Sequence, residues 1–214
     1  MDGQNQAFLT NPETYLETHS KVCYGNKIAD QKDDINRIEK NTLPVKQEFA
    51  PAVEFDLVRN KLGYIDLKML GAVGTYGKTW RHGRPIVGNY IPFLGMTKEE
   101  DSSKFGKINL SRVATDYVFT FSFTGCNFVV TKKGGDTWVY HEPTKDTWLG
   151  DRNARYADEL VVATIGPAYD DLHSGGFGCL VRDKATRTRW TAYVQRPDGI
   201  TMKKANLTKT IIDC

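Results

Sequence analysis

At 214 residues, 40% apolar and 26% charged, the chain is long enough to bury a full core and has the composition of a soluble globular protein. Its 29 basic and 26 acidic residues leave a formal charge of +3, and no Lys/Arg run exceeds two, which argues against a nucleic-acid partner. No apolar stretch approaches the length of a membrane span, and MDGQNQAFLT has neither a cationic nor an apolar signal region, so no membrane partner and no Sec-type signal peptide are expected.

The chain divides by periodicity into an N-terminal helical extension, residues 1–50, and a single β-rich domain, residues 51–214. Asn11-Pro12-Glu13 reads as a cap, a proline in the first turn and an acidic start, predicting a helix over 12–22. IADQKDDINRIEKN sets Ile28, Ile35 and Ile38 among charges, a thin stripe for a second helix that the prolines of NTLPVKQEFAP end. From Ala52 the period becomes two. AVEFDLV, GYIDLKML, DYVFTFSF, NFVVT, TWVYH, ELVVATI, FGCLVR and TRWTAYVQ are short β-branched or aromatic runs bounded by turn residues. GAVGTYGKTWRHGRPIVGNY reads as a long surface loop, and TKEEDSSKF and RNARYADE as short helices. An α+β fold with mostly antiparallel pairing follows.

Four cysteines (Cys23, Cys126, Cys179, Cys214) and four histidines (His19, His82, His141, His173) are scattered without metal-ligand spacing, so thiols in a reducing compartment are expected, with no metal and no cofactor. One pair stands out. In DYVFTFSFTGC the residues Tyr117, Phe119, Phe121 and Phe123 alternate with the small Val118, Thr120, Ser122 and Thr124, giving one aromatic face and one small, partly polar face. A Lys-Lys-Gly-Gly-Asp turn then returns DTWVYH, whose Thr137, Val139 and His141 share a face. If the two segments are neighbours in one sheet, Thr120 and His141 meet.

A thiol needs a base to become a nucleophile at neutral pH, and an imidazole can take its proton and deliver it to a leaving group. Cys126 is the candidate nucleophile, His141 the base and acid, and Thr120 the group that holds the imidazole. The backbone N–H of Cys126, with Gly125 or Asn127 as second donor, is the candidate oxyanion hole. Such a set cleaves amides by acyl transfer, and it requires Cys126 and His141 to meet in an open pocket. A packed, inert Cys126 in a non-catalytic binding module is the competing reading, and a peptidase or amidase a third. A papain-like arrangement would want the cysteine to open a helix, whereas NFVVT after Cys126 reads as strand.

VFTFSFTGC, then NFVV, a glycine turn and the histidine of WVYH, resembles the catalytic segment of the Burkholderia lethal factor kind of glutamine deamidase toxin, and more distantly that of the cytotoxic necrotizing factors and the chemoreceptor glutamine deamidases. VEFDLVRNK resembles the lethal factor's first core strand, and the likeness spans residues 52–142. Thr124 stands where the lethal factor has serine before Gly-Cys, and the interval from Cys126 to His141 is longer than in that protein. The resemblance implies a β-rich sandwich of mixed, mostly antiparallel sheets flanked by a few helices. It implies catalysis by Cys126, His141 and Thr120 on a glutamine of a host protein. The partner implied is the translation initiation factor 4A helicase, with a Rho-family GTPase as the other target. A monomer held in the bacterial cytoplasm before delivery and acting in the host cytosol completes the expectation.

Elsewhere, Asp170-Asp171-Leu172-His173 reads as a turn, Cys179 as core, Cys214 as a mobile terminal thiol, and Trp148 as a residue that could flank a groove.

Overall fold

The computed structural model describes residues 3–19, 22–23, 52–61, 63–74, 84–91, 105–120, 126–143, 155–156, 158–166, 177–197 and 205–214. Two short helices open the chain, α1 (Gln4–Thr10) and α2 (Pro12–Thr18). The Asn11 side chain accepts a bond of 3.0 Å from the Thr14 N–H and Pro12 follows it, so the start of α2 is where capping chemistry puts it. The helix stops at Thr18 rather than at 22, and α1 was not legible, having neither an acidic first turn nor a capping side chain. The expected second helix around Ile28–Ile38 lies outside the described residues.

Among the described residues twelve strands follow: β1 (Val22–Cys23), β2 (Ala52–Arg59), β3 (Ile65–Ala72), β4 (Ile86–Ile91), β5 (Gly106–Asn109), β6 (Tyr117–Thr120), β7 (Cys126–Lys133), β8 (Asp136–Pro143), β9 (Leu160–Ile165), β10 (Phe177–Arg182), β11 (Arg189–Pro197) and β12 (Ala205–Asp213). They form an eight-stranded sheet, β1-β3-β2-β4-β6-β10-β11-β12, and a four-stranded sheet, β5-β8-β7-β9. The β1–β3 and β4–β6 pairs are parallel and the others antiparallel, so the chain is β-rich α+β with mixed, mostly antiparallel sheets.

Alternation sorts the strands into layers. Tyr117 and Phe119 of β6 join Phe55, Phe177, Cys179 and Tyr193 on one face of the large sheet, where Phe8, Tyr15 and Leu16 of the two helices cover them. This docking is also polar: Asn5 accepts from the Leu57 N–H at 2.8 Å and donates to Asp56 at 2.8 Å, and Gln195 donates to the Leu16 and His19 carbonyls. The opposite face, with Ile91, Val118, Leu180, Trp190 and Val194, packs on Ile108, Cys126, Phe128, Val130 and Val139 of the small sheet. A third cluster, Phe105, Val129, Tyr140 and Tyr156, closes the outer face of the small sheet. The β7–β8 hairpin turns on Gly134 and Gly135, both at positive φ (58° and 85°), the pair a two-residue turn of this hand demands.

One expectation is overturned here. Residues 86–91, read as the tail of a surface loop, are the central strand β4, and Ile86 and Ile91 are fully buried. The glycine that argued for a loop is required by packing. A Cβ at Gly88 would sit 3.0 Å from the Tyr117 carbonyl oxygen and 3.1 Å from the Phe119 ring. The short helix expected around 97–105 falls almost wholly outside the described residues; of the one expected around 152–159, residues 155, 156, 158 and 159 are described, and 156, 158 and 159 are turn or bend.

Candidate active site

Thr120 ends β6 in the large sheet, and His141 lies near the end of β8 in the small one. They do not share a sheet, as the sequence suggested; they meet across the interior, Thr120 Oγ1 lying 2.5 Å from His141 Nδ1. The same hydroxyl donates to the Ile91 carbonyl at 2.9 Å. A carbonyl can only accept, and a threonine hydroxyl has one proton, which is thereby committed. Thr120 must therefore accept from His141, whose Nδ1 carries the hydrogen. Nε2 is left with the lone pair and is the basic nitrogen. Ile91 pairs directly with Thr120 in the parallel β4–β6 ladder, so backbone register itself aims the hydroxyl.

Cys126 opens β7 opposite Pro143, and Phe128 is opposite His141. Cys126 and Phe128 point the same way, so Cys126 and His141 are diagonal neighbours on one face, a relation with Cα atoms about 7–8 Å apart. Both face the large sheet: Cys126 belongs to the intersheet cluster and His141 reaches Thr120 there. The three candidate residues thus converge from three strands. Gly125 lies outside the described residues, and the side chain of Asn127, next along the strand, leaves by the reverse face.

The site is closed. Thr120 is 0% exposed, His141 1% and Cys126 3%, so among the described residues the open pocket expected from the sequence is not found around the thiol. Burial also fixes the charge state of the base: removal from water pushes His141 down to about 3, so its imidazole is neutral at physiological pH. A neutral imidazole with a lone pair on Nε2 is the form that accepts a thiol proton.

Cys179 sits in the helix-side core at 0% exposure, and burial pushes its thiol well above the ordinary range, as a packed structural cysteine requires. Cys214 is not the loose terminal thiol expected: it is half-buried, packed beside the intersheet cluster, and its N–H donates to the Thr188 carbonyl at 2.8 Å. Trp190 is core. Trp148 and the Asp170–His173 cluster lie outside the described residues. Among the described residues no group of three or more His, Cys, Asp or Glu is placed to hold a metal ion, and no helix is long and apolar enough to cross a membrane.

Sequence reasoning missed the polar structure behind the site. On the outer face of the small sheet, Glu142 is buried and takes a bond from Tyr156 at 3.1 Å and an ion pair from Arg155 at 3.3 Å. Glu159 accepts from Tyr140 at 2.7 Å and from Thr131. A buried glutamate directly after a candidate catalytic histidine was the available signal, since such a charge needs a cation. In comparison with known proteins, no protein-family model and no curated protein matches the chain.

Proposed function

We propose that the protein is a cysteine-dependent protein glutamine deamidase, a toxin of the lethal factor and necrotizing factor kind with a β-rich catalytic domain. The observation that carries this reading is the 2.5 Å Thr120–His141 contact across the two sheets, which leaves Nε2 as the base on the face shared with Cys126. The reaction requires the closed site to open to a glutamine side chain; the Cys126 sulfur then attacks the carboxamide carbon while His141 Nε2 takes the thiol proton. The oxyanion forms against the Cys126 N–H, with Gly125 or Asn127 as second donor. His141 passes its proton to the departing nitrogen and ammonia leaves a thioester. Water, deprotonated by His141 Nε2, hydrolyses the thioester to glutamate, and the proton returns from Nε2 to the departing sulfur to restore the thiol. Thr120 holds the imidazole in one tautomer throughout.

The target is a host cytosolic protein. The resemblance to the lethal factor points to the translation initiation factor 4A helicase, with block of host protein synthesis as the outcome, and a Rho-family GTPase is the alternative target. The test is incubation of the protein, and of Cys126→Ser, with a eukaryotic lysate, followed by a peptide search for Gln→Glu conversion. One site converted by the wild type and by no variant supports the reading; no difference between the two lysates ends it.

A second reading draws on a specific observation. At 3% exposure within an apolar cluster, Cys126 also has the surroundings of a packed residue in a non-catalytic β-rich binding module. The two readings separate on whether the thiol reacts in the folded protein.

A further inference from the structure

We infer that Asn127 and Glu142 are positioning residues of the Cys126–His141 site, clasped from behind by the chain between 155 and 166; this rests on the reading of Cys126 as nucleophile given above. Each directly follows one of the two candidate reacting residues, and the two are cross-strand partners in the β7–β8 ladder. Their side chains therefore leave the sheet together on its outer face, opposite the site. There, one end of the 155–166 stretch holds Glu142, through Arg155 at 3.3 Å and Tyr156 at 3.1 Å, with the Arg155 side chain only 6% exposed. The other end holds Asn127. A Cβ built on Gly166 would lie 1.8 Å from Asn127 Oδ1 and 3.0 Å from the Cys126 carbonyl oxygen, so the amide occupies the space that only glycine leaves open. Between the two ends, Glu159 ties the stretch to Tyr140 and Thr131.

Consecutive strand residues share a peptide unit. A shift of Asn127 on the outer face turns Cys126 on the inner one, and a shift of Glu142 turns His141. Acyl transfer is sensitive to such movement, since a misplacement of about 1 Å costs on the order of 100-fold. The side chains of the two outer residues face away from the substrate; they act through the residues before them.

The experiment labels the full chain with iodoacetamide under native conditions, reading Cys126 and Cys179 separately by peptide mass spectrometry, in wild type, Asn127→Ala, Gly166→Ala and the double variant. Loosening the clasp exposes the thiol, so each single variant raises the Cys126 rate about five-fold or more while Cys179 stays within about two-fold. In the double variant the new methyl fills the space the amide vacated, and the Cys126 rate lies closer to wild type than in either single variant. Asn127→Ala introduces no clash and carries the test should Gly166→Ala not fold. On the substrate found in lysate, turnover falls about ten-fold or more at nearly constant KM. Unchanged Cys126 labelling, a parallel rise at Cys179, absence of reciprocal rescue, or a loss expressed only in KM overturns the proposal. Labelling needs no substrate, so a wild type that converts no glutamine but follows this labelling pattern removes the deamidase reading and leaves the clasp standing.

Discussion

Burial of His141 makes the fold acid-sensitive by a calculable amount. The imidazole is 1% exposed and desolvation lowers it to about 3, against about 6.5 in the unfolded chain. Below pH 6.5 the unfolded state binds a proton that the folded state refuses, so this residue's contribution is intact above about pH 6.5 and is lost progressively as pH falls toward 3. Each pH unit in that window costs roughly 1 kcal/mol, so at about pH 4.5, two units below the unfolded value, the loss is roughly 3 kcal/mol. His141→Asn isolates it: the asparagine amide can still donate to Thr120 and does not titrate. Urea unfolding of both proteins at about pH 7, 5.5 and 4.5 gives the pH dependence of their stability difference, in which carboxylate contributions cancel. The difference should shift in favour of the variant by roughly 1 kcal/mol at pH 5.5 and roughly 3 kcal/mol at pH 4.5. A difference that stays constant across the series would mean that the imidazole is hydrated or protonated in the native state, and the argument for a neutral base would fail.

Thr120→Val keeps shape but removes the acceptor of the His141 Nδ1–H; stability drops by about 1–3 kcal/mol in urea titration, and glutamine conversion falls at least about ten-fold as the tautomer is released. Arg155→Met removes the cation from the buried Glu142 carboxylate, which keeps its bond from Tyr156, and costs about 3–5 kcal/mol at neutral pH, measured in the same way. Phe8→Ala opens a cavity under Tyr15, Tyr117 and Phe119, whose rings lie within 6 Å of it, and lowers stability by about 3–5 kcal/mol, which checks that α1 is part of the core.

The strands with clean alternation were legible because one side-chain period met two buried faces: Tyr117 and Phe119 point to the helices, Val118 and Thr120 to the small sheet. The glycine pair of the β7–β8 turn was readable for the same local reason, a backbone that only glycine adopts easily. What escaped was set by distant contacts. Strand β4 carries a glycine for the sake of Tyr117 and Phe119, and its glycine- and proline-rich flanks masked the pattern. The membership of Thr120 and His141 in different sheets depends on which strands pair, and neither residue's neighbours in sequence encode that. The types Cys, His and Thr were readable as chemistry. The Ile91 carbonyl that decides the tautomer was not, because a backbone acceptor has no side-chain signature.

The account stands most directly on whether the thiol at the start of β7 reacts in the native protein. Iodoacetamide near neutral pH, followed by peptide mapping, measures it with Cys179 as internal reference. Labelling of Cys126 well ahead of Cys179, slowed at least about ten-fold in His141→Asn, is the result expected of a sulfur served by that imidazole. Two thiols that label together, and only as the protein unfolds, would contradict it.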